Sequence, residues 1–169
     1  MNPYKKIALV IIFMALGLAL APFTSIPIGI AKINPTQHFI NVLLAILAGP
    51  WASVLSATGL AIIRNSLGLG TILAFPGGMI GAFIAGVLYK ITGKFISASM
   101  GEVIGSGILA PLISSILIAP FIMGKHIGIV ALIPSFLLSS LSGSILAYIT
   151  IISLKKANVL PERSMPLHK

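Results

Sequence analysis

Acidic residues are nearly missing from this chain, which carries two of them, Glu102 and Glu162, in 169 residues. One molecule therefore cannot set a pair of carboxylates across a substrate bond within its apolar body, which excludes glycosidase-type acid–base catalysis. A carboxylate relay of the kind that drives proton-coupled carriers is not expected either. Cysteine is absent, so there is no disulfide framework, thiolate metal site or cysteine nucleophile. Charge of either sign is scarce, 8% of residues against about 25% in a soluble domain. No G-x-x-x-x-G-K-[ST] run exists for a P-loop. There is no H-E-x-x-H, and the histidines are too scattered for a metal site. Nucleophile–base pairs are not evident. The chain is thus expected to be no enzyme and to use no cofactor. Any uphill work must draw on a partner or an ion gradient.

What remains is apolar. Hydrophobic residues make up 57% of the chain and the mean hydropathy is +1.13. This composition predicts an all-α integral membrane protein of about six transmembrane helices at roughly 20 residues each. Residues 1–154 then form a single transmembrane domain and 155–169 a polar cytoplasmic tail. The net charge of +9 does not point to nucleic acid, because the lysines stand singly or in pairs between apolar runs. They read as topology markers and contacts to lipid headgroups, which makes the bilayer itself a partner.

Lys5 and Lys6 precede an apolar run from Ile7 to about Ala21. Ala19-Leu20-Ala21 resembles a signal cleavage site, but Pro22 is a poor residue behind one, so the run is expected to remain as the first helix. Within it Ala15-x-x-x-Ala19 and Gly17-x-x-x-Ala21 space small residues for close helix approach. Pro22, Pro27, Gly29 and Pro35 predict a break and a loop of about fifteen residues, long enough to be a lid. Gln37 to Ile63 is interrupted by Gly49-Pro50-Trp51 and reads as one kinked span or as a hairpin. The hairpin gathers Lys5, Lys6, Lys90, Lys94, Lys155 and Lys156 on one face and leaves Lys32, Arg64 and Lys125 on the other. The positive-inside tendency favours it and places both termini in the cytoplasm. Its two arms, the second and third helices, are expected to be short or tilted. Three more segments run from Ile72 to about Tyr89, from about Ile96 to Ile118, and from about Ile129 to Leu154. In the last, Ser135, Ser139 and Ser142 share a face. No internal repeat is visible, which counts against an inverted-repeat carrier.

Polar side chains and irregular backbone at membrane depth are costly unless protein or a water-filled cavity covers them. Arg64-Asn65 followed by Gly68, Gly70, Phe75, Pro76, Gly77 and Gly78 is the densest such stretch. Gln37, His38 and Asn41 open the second helix at the same depth, with Asn41 within one turn of the other two. Together they offer amides, an imidazole, a fixed cation and the aromatic face of Phe75, the usual make-up of a small-molecule pocket. Glu102, the one carboxylate within the hydrophobic segments, shares a helix face with Ser106. It is expected to have a partner or to act as a neutral donor. The bland alternatives are snorkelling of His38 and Arg64 toward water and hydrogen bonding of Glu102 between helices.

Several blocks resemble the ThiW group. They are Pro35-Thr36-Gln37-His38-Phe39-Ile40-Asn41-Val42, Gly49-Pro50-Trp51, and Arg64-Asn65 with Gly68, Gly70 and Thr71. Leu73-Ala74-Phe75-Pro76-Gly77-Gly78 and Gly101-Glu102-Val103-Ile104-Gly105 extend the match. These are substrate-binding S components of energy-coupling-factor (ECF) vitamin transporters. The resemblance implies a six-helix S-component-like bundle and docking on a transmembrane T subunit with two ATPase subunits. It implies capture of substrate from outside and inward release as the S component topples. Ala15 and Ala19 would then form the docking face. The implied ligand is a thiamin precursor, hydroxyethylthiazole, for which Gln37, His38, Asn41, Arg64, Asn65, Phe75, Glu102 and Ser106 are the candidate contacts. Arg64 fits a neutral thiazole less obviously, and either holds the lid through backbone carbonyls or marks an anionic ligand. A stand-alone secondary carrier for a small heteroaromatic solute is the other reading, and the missing carboxylates and repeat weigh against it.

Overall fold

The computed structural model describes residues 1–28 and 31–159. Gly29 of the expected loop and most of the expected tail, Glu162 included, lie outside the described residues. Helix α1 spans Pro3–Thr24, with Asn2 capping it through its side-chain oxygen, 3.0 Å from the Tyr4 amide. The break expected at Pro22 does not occur, and α1 continues through it. Pro22 sits in the last turn, where the Ser25 amide still reaches Ala21 O at 2.9 Å and Thr24 Oγ1 donates to Leu20 O at 3.0 Å. One missing N–H so close to the end does not unwind the helix.

The expected open loop contains structure. Strands β1 (Ile26–Ile28) and β2 (Ala31–Ile33) form an antiparallel hairpin that pairs Ile26 with Ile33 and Pro27 with Lys32. Pro27 is tolerated because a two-stranded ribbon has only edges. Helix α2 (Pro35–Leu47) follows directly, and α3 (Pro50–Ser66) begins after a turn at Ala48 and Gly49. Gly49 takes φ +93° there, a conformation that favours glycine. Gln37 to Ile63 is therefore a hairpin of two helices. At 1.5 Å per residue these are about 20 and 26 Å long, short of the ~30 Å hydrocarbon core. Ten of the 13 residues of α2 are buried, so protein rather than lipid surrounds it. It packs against α1, α3 and the three helices that follow.

Those three are long. They are α4 (Ala74–Thr92), α5 (Phe95–Phe121) and α6 (Ile129–Lys156). Among the described residues, these three and α1 are the four helices long and apolar enough to cross a membrane. Helix α5 widens into π turns at Gly105–Leu109 and Ser114–Ile118. Each π turn stops just short of a proline, Pro111 or Pro120. Widening the preceding turn accommodates a ring that would otherwise crowd its carbonyl.

Glycines let α4 and α5 touch backbone to backbone. A Cβ on Gly105 would lie 2.6 Å from Gly81 Cα, and one on Gly101 would lie 2.9 Å from Ala85 Cα. Three apolar clusters form among the described residues, around Val42, Ile46, Tyr89, Ala98 and Ile151, around Leu73, Ala110, Leu132 and Phe136, and around Ile40, Leu44 and Ala48. In chain order along α2, α4, α5 and α6, a layer of polar residues falls next to or between them.

Candidate ligand-binding site

The N-terminus of α2 is fixed by Asn34. Its side-chain oxygen accepts from the Gln37 amide at 2.9 Å, and Pro35 fills the first helical position. Its Nδ2 donates to Ser25 Oγ at 2.8 Å and Thr24 Oγ1 at 3.3 Å, while its own backbone amide donates to Ser139 Oγ at 2.8 Å. Asn34 thus ties together the ends of α1 and α2 and the wall of α6.

One turn further along α2 the polar layer begins. Glu102 is fully buried, and its Oε1 lies 2.7 Å from His38 Nδ1, 3.0 Å from Asn41 Nδ2 and 2.8 Å from Ser106 Oγ. Asn41 Nδ2 also donates to Gly78 O at 3.1 Å, and Ser106 Oγ lies 2.6 Å from Gly77 O. Glycine at position 81 opens the space for this carboxylate, since a Cβ there would lie 2.8 Å from Glu102 Oε1. With Nδ1 held by Glu102, His38 keeps Nε2 as its free ring nitrogen. This is the arrangement by which a carboxylate fixes the orientation of an imidazole.

A second cluster lies above the first. Arg64, only 2% exposed, donates from Nη1 to Gln37 Oε1. Its Nη2 reaches Ser25 Oγ at 3.1 Å and the backbone oxygen of Leu69 at 3.2 Å, and its Nε has no partner. Lys32 of β2 donates to Gly68 O at 2.5 Å, and Ser135 Oγ donates to Ile28 O at 3.1 Å. The β-hairpin is thereby fastened to the α3–α4 connection on one side and to α6 on the other. The backbone carbonyl that Arg64 meets belongs to the α3–α4 connection, and its contact with the segment expected as a lid is the Ser25 hydroxyl.

Between the clusters lies a narrow cavity lined by Lys32, Asn34, Gln37, His38, Arg64, Thr71, Ser135, Phe136 and Ser139. Its volume is about 20 Å³, room for one or two waters. Of the eight residues proposed from sequence, Gln37, His38 and Arg64 line it, and Asn41, Glu102 and Ser106 are joined to it through His38. Asn65 is not brought in, because its Nδ2 turns back to Ala61 O at 2.8 Å. Phe75 is half-buried outside the lining, and the aromatic wall is Phe136. The serine face is present in part. Ser135 and Ser139 reach the site, whereas Ser142 bonds to Leu138 O within its own helix. Sequence reasoning missed Asn34 and Phe136, and it did not single out Lys32 or Thr71, which lies within the Arg64–Gly78 stretch, as contacts. Only Asn34 carried a signal, an Asn-Pro step at a helix start.

On α1 the two small-residue rows part company. Gly17 and Ala21 are buried, with Gly17 against Ile40 and Leu60, while Ala15 and Ala19 face outward. No group of three metal-ligating side chains occurs among the described residues.

The geometry can be set beside known proteins. No curated protein sequence matches the chain. A solved structure described as "Structure and mechanism of the S component of a bacterial ECF transporter" superposes with a TM-score of 0.75 at 16% identity, covering 95% of this chain and 100% of that one. At that identity the likeness shows the fold, which is that of an S component. A family model described as thiamine-precursor transporter protein (ThiW) matches residues 7–157. The chain belongs to the ThiW family, a family of membrane transport proteins rather than enzymes.

Proposed function

We propose that this protein is the substrate-capture subunit of an ECF-type importer and binds a thiamin precursor, hydroxyethylthiazole, between the β-hairpin and the His38–Glu102 pair. The observation that carries the reading is that polar network: an imidazole backed by a buried carboxylate, beside an aromatic wall, under a hairpin strap. Glu102 orients His38 so that Nε2 meets the hydroxyl or ring nitrogen of the ligand. Phe136 offers the apolar face that a thiazole ring needs.

Connectivity puts Lys5, Lys6, Lys90, Lys94, Lys155 and Lys156 at the end of the bundle away from this site. The positive-inside tendency makes that end cytoplasmic, both termini with it, and the site faces outward. Ligand pockets usually measure roughly 300 Å³ or more, so the narrow cavity is a closed form. Entry requires the hairpin to lift, parting Lys32 from Gly68 and Arg64 from Ser25. The outward row of Ala15 and Ala19 docks on a transmembrane T subunit carrying two ATPases. ATP hydrolysis there topples the subunit and releases ligand inside.

The test is calorimetry on purified protein in nanodiscs, together with mass spectrometry of any ligand that co-purifies. Binding of hydroxyethylthiazole, weakened tenfold or more by His38→Ala, supports the reading. No binding of thiazole, thiamin or hydroxymethylpyrimidine would sink the substrate assignment. Uptake by the reconstituted protein alone, driven by an ion gradient, would favour a stand-alone carrier.

A further inference from the structure

The charge arrangement of the pocket carries more than a neutral heterocycle needs. Arg64 is 2% exposed, and every acceptor around it is uncharged: Gln37 Oε1, Ser25 Oγ and Leu69 O. Its Nε is buried without a partner. Lys32 lines the same cavity and likewise finds only a neutral acceptor, Gly68 O. The one acid among the described residues, Glu102, bonds to His38, Asn41 and Ser106 and to neither cation. A buried guanidinium without a counter-ion is strongly disfavoured unless something supplies negative charge. Two cations on one small cavity, one of them fully buried with an unused N–H, leave a place for two negative charges.

From this we infer that the ligand carries a phosphate monoester on its arm, seated between Arg64 and Lys32, with the heterocycle directed toward His38 and Phe136. The inference rests on the proposed thiazole reading and names the form in which the thiazole is bound. A phosphate monoester brings close to two charges and three acceptor oxygens at neutral pH. The Arg64 fork can meet two of these oxygens and the Lys32 ammonium the third. A carboxylate would satisfy the fork and leave Lys32 unmatched. Before the ligand arrives, Gln37, Ser25 and Leu69 hold the guanidinium in place. These are neutral contacts that a phosphate can replace.

The test compares hydroxyethylthiazole, its phosphate ester and inorganic phosphate by calorimetry. It uses the full chain in phosphatidylcholine nanodiscs, with Arg64→Gln and Lys32→Met alongside the natural sequence. The ester is expected to bind about ten- to a hundredfold more tightly than the alcohol, the range set by charge-assisted hydrogen bonds. Either substitution should remove most of that gap, so that the ester and the alcohol then bind the variant within about threefold of each other. If Arg64→Gln does not fold, Lys32→Met, which removes the less buried of the two cavity cations, carries the comparison. An alcohol that binds as tightly as the ester overturns the inference and leaves the thiazole reading standing. An ester whose advantage survives Lys32→Met also overturns the inference. Failure of both compounds to bind overturns the thiazole reading and the inference with it. A lipid phosphate could offer the same chemistry, so the measurement is repeated with phosphatidylglycerol in the disc. Unchanged affinity for the ester assigns the cations to the soluble ligand. A tenfold or greater loss assigns them to headgroups and overturns the inference.

Discussion

Truncating Glu102 tests whether the buried acid acts through His38, and the expected cost can be worked out bond by bond. Its Oε1 serves three groups, but two of them have a second acceptor. Asn41 keeps Gly78 O at 3.1 Å and Ser106 keeps Gly77 O at 2.6 Å. Only His38 Nδ1, 2.7 Å away, loses its sole partner. A hydrogen bond to a charged group contributes about 1.5–3 kcal/mol, and the cavity left by the side chain adds about 2 kcal/mol. Glu102→Ala should therefore cost about 3–5 kcal/mol of stability. Glu102→Gln should cost only about 1 kcal/mol, because the amide oxygen can take the place of Oε1. Its NH₂ then occupies the site of Oε2, which already lacks a partner. The decisive quantity is the coupling in a double-mutant cycle of Glu102→Ala with His38→Ala, read by circular dichroism during unfolding in mixed micelles. It should reach about 1.5–3 kcal/mol, while the cycle of Glu102→Ala with Ser106→Ala stays below about 1 kcal/mol. A His38–Glu102 coupling within about 0.5 kcal/mol of zero would refute the claim that the acid holds the imidazole.

Gly81→Ala should destabilise the protein by about 2 kcal/mol or more, because the added methyl meets Glu102 and Ser106 where α4 and α5 touch; a melting temperature within a degree of the natural protein's would contradict that packing. Asn34→Ala should cost about 2 kcal/mol, one for the cap and one for the bond to Ser25. Asn34→Asp keeps the cap acceptor and should recover about half of that loss in the same melt. Asn65→Ala should leave affinity for hydroxyethylthiazole within about twofold while Asn41→Ala lowers it tenfold or more, since Asn65 bonds only to its own helix; equal losses would put Asn65 back in the site. Ala15→Trp or Ala19→Trp should abolish ATP-driven uptake in reconstituted vesicles yet leave ligand binding intact. Unchanged uptake would move the docking surface elsewhere.

The bundle was legible because apolar runs long enough to cross lipid leave little choice of structure. The hairpin of α2 and α3 needed one more argument, the placement of the lysines, and the structure agrees with it. The central position of α2 was not legible. Its apolar sequence suits lipid and protein surroundings alike, and only tertiary packing reveals that it is enclosed. The β-hairpin was hidden for the opposite reason. Prolines and glycine signal a break, while three-residue strands carry too little pattern to register. At the site, Gln37, His38, Asn41, Glu102 and Ser106 stood out as polar groups in apolar helices; His38, Asn41 and Ser106 meet on Glu102, while Gln37 meets Arg64. Asn65 misled because sequence adjacency to Arg64 fixes depth but not direction. Consecutive helical residues point about 100° apart, and Arg64 faces the cavity while Asn65 bonds back to Ala61. Phe75 lies outside the lining and Phe136 of α6 supplies the aromatic face instead, a choice that no local pattern encodes.

The pair Gln37 and His38 explains why one acid and two cations at the same end of the bundle do not neutralise one another. The two residues are neighbours on α2, so their side chains leave the helix in different directions. Gln37 engages Arg64 and His38 engages Glu102. The amide and the imidazole thus act as spacers, each bonding to one of the two groups and keeping them apart across the cavity. A direct Arg64–Glu102 bridge would leave a stable, inert core. Held apart, the ions give the proposed pocket a basic rim at Arg64 and Lys32 and an acid-backed floor at His38. A ligand with an anionic arm and a ring nitrogen fits that polarity in one orientation only. In this reading the same contacts that stabilise the empty protein select how the ligand lies.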